Sequence, residues 1–322
     1  MSLLVSIIIP AFNRAHLIEN TLNSIIKQSY TNWECIIVDD GSIDVTEKLI
    51  QSYLNNDKRF QFHKRPNHMP KGANACRNYG FTLSKGKFIN WFDSDDIMST
   101  NKLELQVKAL QTKNDAPFCV CQSYWFDSDS NISLGLRSKT ITSSNRFEDY
   151  CLFRVFWLTS VPLWRREFID LHSLNFDETL QQSQEYDFHI KALAISDDYI
   201  TIDEPLVTII KHDGAISHNI YLSDEKLFSN LKVKKRLLEN YSYKLSSIGK
   251  LKIHEMITVN FKELLLLKNF TMAKVYSKTL IHTLKYIDVS WITKFNFSMR
   301  LILILQSYCI FGRGYRFIKP LK

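Results

Sequence analysis

The sequence is short of several features that would decide its class at once. None of the six cysteines, at 35, 76, 119, 121, 151 and 309, forms a C-x-x-C pair, which removes the usual zinc and dithiol redox signatures. They read as reduced, mostly buried thiols of a cytosolic protein. No window approaches the ~20 consecutive apolar residues of a spanning helix. The nearest, Leu301–Phe311, is interrupted by Gln306 and Ser307. The chain enters a strand-like run at Val5–Ile9 without a basic leader, so no secretory signal is expected. No G-x-G-x-x-G follows a strand, which disfavours a dinucleotide oxidoreductase. Pro10–Arg14 holds no glycine, which disfavours a nucleotidyltransferase with a glycine-rich phosphate loop. There is no internal repeat and no low-complexity segment.

What is present is a core-forming chain. Of 322 residues 45% are hydrophobic and 13% aromatic, enough to bury one large or two modest domains and too apolar for disorder. The net charge of +8 is unevenly spread: residues 219–322 hold 19 Lys+Arg against 6 Asp+Glu, whereas residues 1–218 hold 22 against 27. An acidic front module, 1–218, is therefore expected to carry a basic helical region, 219–322. Basic surface attracts nucleic acid, anionic lipid or phosphorylated substrate without choosing among them. No nucleic-acid-binding module is recognisable, so nucleic acid is not the expected partner.

The front half alternates two periodicities. Val5–Ile9, Trp33–Val38, Phe60–His63, Lys87–Phe92 and Phe118–Cys121 read as buried strands. Helices are expected between them, through Leu17–Ile26, up to about Leu54, over Ala73–Leu83, and around Leu103, Val107 and Leu110 with Ser99 as N-cap. This order predicts an α/β fold with a doubly wound, mostly parallel sheet. Residues 123–182 are less regular, and Ser183 is the expected N-cap of a further helix. Residues 199–210 read as two short strands around Pro205. Beyond Tyr221 the pattern is helical, with stripes at Ile253, Ile257, Phe261, Leu264 and at Ala273, Tyr276, Leu280, Leu284.

Ligands of open α/β sheets bind at the carboxyl ends of strands. Pro10–Arg14, Asp39-Asp40-Gly41-Ser42 and Asp93-Ser94-Asp95-Asp96 each follow a strand. Acids gathered in one crevice must be answered by a cation or a polar ligand. Asp93 and Asp95 suit a hard divalent ion, Mg²⁺ or Mn²⁺, which takes one or two carboxylates and completes its shell with water and substrate phosphates. The bland alternatives are a solvated turn for the acids, and helix-capping roles for Asp40 and Asp96.

The ordered motifs V-S-I-I-I-P-A-F-N-R, I-I-V-D-D-G-S-I-D-V-T, K-G-A-N-A-C-R-N-Y-G and G-K-F-I-N-W-F-D-S-D-D resemble those of family 2 glycosyltransferases of GT-A fold. The resemblance covers residues 4–115 well, returns at Gln184–Phe188 and Lys211–Ser217, and does not extend into 219–322. It implies an inverting transferase moving a sugar from a nucleotide-diphosphate donor, usually a UDP-sugar, to a glycan, polysaccharide or lipid-linked acceptor. It further implies that Ala11 and Asn13 line the nucleotide and that Asp39 accepts a hydrogen bond from the base. Arg77 is implied at the nucleotide or diphosphate, Asp93 near ribose and metal, and Asp95 as metal ligand, with Ser94 between them. Lys71 adds positive charge at the phosphates. Glu185 aligns with the general base, in a motif usually E-D that here reads Gln184-Glu185. His212 and Ser217 fall near the diphosphate and acceptor.

Each has a structural alternative. Glu185 and Asp187 sit where the helix dipole favours acids, and Asp187 is read as mainly structural. Glu185 and His189 read as surface neighbours rather than a metal pair. Lys71 and His212 are equally readable as loop residues, and Arg77 as a solvated helix residue. The lysines of 219–322 are either a solvated helix face or a membrane-docking surface, the latter motivated by Arg313, Arg316, Lys319 and Lys322 beside Phe311, Tyr315 and Phe317. The expected location is the cytoplasm, at the inner face of the cell membrane if the tail docks.

Overall fold

The computed structural model describes residues 3–211, 221, 223–311 and 319–321, with Cys309 and Phe311 as backbone only. His212, Ser217 and most of the basic cluster at 313–322 lie outside these residues. The chain divides into two compact units. The first comprises residues 1–146, 155–178 and 187–215; the second comprises 147–154, 179–186 and 216–322.

The first unit is built on one nine-stranded sheet, ordered β3-β2-β1-β4-β8-β6-β9-β5, with β7 pairing off β6. The strands are β1 (Val5–Ala11), β2 (Trp33–Asp39), β3 (Phe60–Lys64), β4 (Phe88–Trp91), β5 (Ile97–Met98), β6 (Phe118–Asp127), β7 (Ile132–Leu136), β8 (Leu163–Arg165) and β9 (Ile200–Lys211). β1, β2, β3 and β4 are parallel, as are β6 and β9. Val5, Ile7, Ile8 and Ile9 of β1 are fully buried, as expected of a strand covered on both faces. Helices α1 (Ile18–Ile26), α2 (Thr46–Asn56), α3 (Ala73–Leu83) and α4 (Lys102–Thr112) supply the crossovers. α3 packs directly onto β1 through Gly80: a Cβ there would stand 2.4 Å from Ile8 Cγ2. Any side chain would push the helix off the sheet.

The short antiparallel β8 is inserted between β4 and β6. Three local expectations are corrected. In place of two short strands over 199–210 there is one, β9, from Ile200 to Lys211. Pro205, which cannot donate to a ladder, falls opposite Gln122 where the register of β6 and β9 shifts. Helix α4 begins after Asn101 rather than Ser99. Ser183 stands immediately before the next helix, at the N-cap position expected of it, with φ 59° and a hydroxyl that accepts from Asn230 at 3.1 Å. Residues 123–182 are more regular than expected, holding β7, β8, α5 (Arg146–Cys151) and α6 (Arg166–Leu171). The next helix, α7, is Gln184–Ile195. The five cysteines with described side chains are buried and free.

The second unit is mainly α8 (Asp224–Tyr241), α9 (Ser247–Leu266), α10 (Phe270–Thr283) and α11 (Trp291–Phe311). Ser223, Ser246 and Asn269 cap three of them, each side chain accepting the backbone N–H three residues on. Both stripes read from the sequence are buried, and Phe297, Leu301, Ile304 and Tyr308 of α11 join them. Glu148 accepts from the Ser246 backbone at 2.5 Å and from its hydroxyl at 2.8 Å, which pins the start of α9.

Candidate active site

The parallel register sets the ends of β1, β2 and β4 side by side. Ala11 pairs with Asp39, and Ile8 with Trp91, so Asp93 emerges two residues beyond that level. The Asp40 N–H donates to the Ala11 carbonyl at 2.8 Å, closing the first two strand ends together. Asn13 sits at φ 52°, in the left-handed region where asparagine is tolerated. Its Oδ1 accepts from Ile43 N and its N–H donates to Ser42 Oγ, both at 2.9 Å. Asn13 therefore stitches the loop after β1 to the loop after β2, and its side chain is committed to that task.

Asp39 is 2% exposed. Its Oδ2 accepts the N–H groups of Gly41 and Ser42, each at 3.0 Å. Gly41 supplies the φ of 91° that this turn requires. The other oxygen, Oδ1, is buried without a hydrogen-bond partner. Such an acceptor is costly unless something arrives to donate to it.

The four acids 93–96 read alike in sequence and differ sharply in structure. Asp93 is joined to Arg77 Nη2 at 2.7 Å. Arg77 is buried on α3, also bonded to Asn74 Oδ1 at 3.2 Å, with its guanidinium 5.3 Å from the centre of the Phe176 ring. It is not a solvated helix residue. Asp95 faces Arg14 Nη2 at 3.9 Å. Ser94 is buried. Asp96 is buried behind them and caps no helix: its Oδ2 accepts from Ser160 Oγ at 2.5 Å and its Oδ1 from Ile210 N at 3.4 Å. Burial, then the charges of Asp95 and Asp93, hold its carboxyl well above the usual carboxylate range. Ser160 Oγ also accepts the Asp93 N–H at 3.0 Å, so one hydroxyl fastens both ends of the acidic turn. Behind it, Asn90 donates to the carbonyls of Ser160 and Pro162 and accepts from the buried Lys102 Nζ at 3.1 Å. Burial brings the Lys102 ammonium down to about 8.

Asp40 is not a cap either. Its Oδ1 accepts from Arg65 Nε at 2.5 Å and its Oδ2 from Gly72 N at 2.8 Å. It ties the 65–72 loop, which carries the exposed Lys71, to the end of β2. Glu185 is the second residue of α7 and half-buried, in the 179–186 segment of the second unit. Asp187 forms an i,i+4 pair with Lys191 at 2.5 Å, the structural role expected of it. His189 is not at the surface: it is buried, with ring centroids 5.8 Å from Trp164 and 5.9 Å from Trp157.

Sequence reasoning missed Arg14, Arg65 and Ser160. Arg14 closes the first motif and Arg65 immediately precedes Pro66, but Ser160 carries no local signal at all. As for a metal, Asp93 and Asp95 present the hard oxygen donors that Mg²⁺ or Mn²⁺ prefers. Among the described residues no group of three or more His, Cys, Asp and Glu side chains could hold an ion by itself. The donor set therefore fits an ion completed by substrate phosphates and water rather than a closed protein cage.

A model of glycosyl transferase family 2 matches residues 6–167, half of the chain, and encloses every strand end described above. The chain belongs to glycosyltransferase family 2. Within this family it is 39% identical over 115 residues to an Escherichia coli UDP-Glc:alpha-D-GlcNAc-diphosphoundecaprenol beta-1,3-glucosyltransferase, WfgD, a stretch covering 36% of this chain and 44% of WfgD. It is 31% identical over 217 residues to an uncharacterized glycosyltransferase of Rickettsia typhi, covering 66% of this chain and 65% of that one. The chain thus spans under half of WfgD, about two thirds of the Rickettsia typhi protein, and 15% of a longer Rickettsia bellii glycosyltransferase. The crystal structure of Staphylococcus aureus TarS 1–349 in complex with UDP-GlcNAc superposes with a TM-score of 0.69 at 16% identity, covering 98% of this chain and 89% of TarS 1–349. At that identity the likeness is one of fold, and the fold of this family 2 member is the GT-A type, with a mostly parallel sheet and a helical C-terminal region.

Proposed function

We propose that the chain transfers a sugar, with inversion, from a UDP-sugar to a hydroxyl of a glycan or lipid-linked acceptor. The observation that carries this reading is the buried, unpartnered Asp39 Oδ1 at the end of β2. It is an acceptor waiting for a donor, in the crevice where open α/β sheets bind nucleotides. A uracil N3–H meets that need. Family membership supports the same reading, as does WfgD, whose name specifies a UDP-linked donor.

The residues divide the work as follows. Ala11 and Asn13 shape the nucleotide wall through the backbone. Arg77 holds Asp93 in place and, with Lys71, brings positive charge toward the diphosphate, while His212 is assigned near the diphosphate by its motif alone. Asp95 and Asp93 would hold Mg²⁺ or Mn²⁺, which supplies charge neutralisation at the departing diphosphate. Glu185 takes the proton of the acceptor hydroxyl, and a single displacement on the face opposite the leaving group inverts the anomeric centre. A lipid-linked acceptor is met at a membrane, and the basic region 219–322 suits a peripheral contact there.

The decisive test is turnover of UDP-sugars with Mn²⁺ by the wild type and by Glu185→Gln. Loss of a general base lowers the rate by roughly 10²–10⁴-fold, with UDP binding unchanged. Equal rates in the two proteins would remove Glu185 from the mechanism.

A further inference from the structure

Helix α11 has two apolar faces. Phe297, Leu301, Ile304 and Tyr308 are buried against the second unit. At about 100° per residue, the opposite face carries Trp291, Ile292, Phe295, Met299, Leu303 and Ile310. These are exposed: Trp291 by 73%, Leu303 by 59% and Ile310 by 71%. A soluble helix normally keeps one apolar stripe, and a second one of this length marks an interaction surface. No helix of the described residues is long and apolar enough to cross a membrane.

The charge around this face selects its partner. From residue 289 to 322 the sequence holds six basic residues and no acidic one. Two of the six, Lys294 and Arg300, lie on α11 itself, to the sides of the exposed stripe, and Lys319 is exposed beyond it. The last acid before the helix, Asp288, is paired with Lys250 at 2.8 Å. Large apolar side chains, an aromatic at one end, basic flanks and no acid are the features of a helix lying in the plane of an anionic bilayer. Flanking Lys and Arg stems reach the headgroups while the apolar face enters the acyl boundary. A second copy of the chain would share the same positive charge and repel it.

The geometry points to α11 as an interfacial membrane helix whose outward face, from Trp291 to Ile310, seats in an anionic lipid surface. This names the surface of the peripheral contact proposed above. The experiment needs lipid alone and no sugar donor, so its failure is distinct from failure of the transfer reading.

The full chain is floated with phosphatidylcholine vesicles with and without phosphatidylglycerol. Wild type is expected to float with the anionic vesicles and to be released by high salt. Phe295→Ser with Leu303→Ser is expected to lower partitioning about a hundredfold, on the order of tenfold for each large apolar side chain removed from lipid. Both side chains are exposed, so the variant should keep its melting temperature. If it fails to fold, quenching of wild-type tryptophan fluorescence by brominated lipid, lost in Trp291→Phe, reads the same contact. Equal binding by wild type and the double variant overturns the proposal. So does absence of flotation and quenching, and in that case a dimer by light scattering that the double variant abolishes assigns the face to a second copy.

Discussion

The half-satisfied carboxylate of Asp39 allows a substitution with opposite effects on binding and stability. In Asp39→Asn the amide oxygen can keep the N–H groups of Gly41 and Ser42, at 3.0 Å in the wild type. The amide nitrogen then occupies the position of Oδ1, which is buried and without a partner. An acceptor has become a donor. Toward a uracil N3–H the change removes a charge-assisted hydrogen bond of about 1.5–3 kcal/mol, so UDP affinity should fall roughly 10- to 150-fold. The ligand-free protein should not be weakened to match, because the desolvation cost of a buried anionic oxygen is relieved by the neutral amide. Titration calorimetry with UDP, beside thermal melting of both proteins without ligand, separates the two effects. If Asp39→Asn binds UDP within about twofold of wild type, less than 0.5 kcal/mol, the base-binding role of Asp39 is wrong. If affinity and ligand-free stability fall together, the carboxylate is only a turn residue.

Ser160→Ala deprives both the Asp93 N–H and the Asp96 carboxyl of a partner and should cost about 2–4 kcal/mol in chemical denaturation; a cost below about 0.5 kcal/mol would mean the acidic turn holds itself. Gly80→Ala places a methyl 2.4 Å from Ile8 Cγ2 and should cost about 1–3 kcal/mol. The penalty should shrink in an Ile8→Ala background, and strict additivity would contradict the direct contact of α3 with β1. Burial, aided by the charge of Arg77, depresses His189 from 6.5 to about 3. Its stabilisation is full above pH 6.5 and lost as pH falls toward 3, amounting to about 3 kcal/mol by pH 4. His189→Gln should therefore lose less stability than wild type between pH 7 and 4, and parallel profiles would refute this.

The first half of the fold was legible because each strand and helix announces its facing locally. A run such as Val5–Ile9 has to be covered on both sides, and the helical stripe after it says by what. Pairing order carries no such local signature. Nothing in Phe118–Cys121 says that Leu163–Arg165 will intervene between it and β4. Nor does the pattern around Pro205 disclose that a shift of register absorbs the missing donor and keeps the strand whole. The helical stripes at Ile253–Leu264 and Ala273–Leu284 were plain in the sequence, whereas α11 is apolar on more than one side and its periodicity names no buried face. The second apolar face of α11 is visible only when Phe297, Leu301, Ile304 and Tyr308 are known to be the buried ones.

The same distinction governs the site. Residue type and strand-end position marked Asp39, Asp93 and Asp95, and the register of β1, β2 and β4 gathers their strand ends. Type alone could not divide labour among acids. Asp39, Asp40, Asp93, Asp95 and Asp96 are one amino acid in five settings: half-satisfied by a turn, fastened to Arg65, joined to Arg77, loosely facing Arg14, and buried on Ser160. The alternative reading of Asp40 and Asp96 as helix caps fails because capping is a local use of a carboxylate, and distant partners outcompete it. Ser160 lies 67 residues from Asp93 and has no motif of its own, since a hydroxyl that serves two acids is defined by where the chain returns. Such a residue becomes visible only when each buried acid is asked what answers its charge. Of these five acids, the one whose answer is incomplete, at Oδ1 of Asp39, is the one that most needs a ligand.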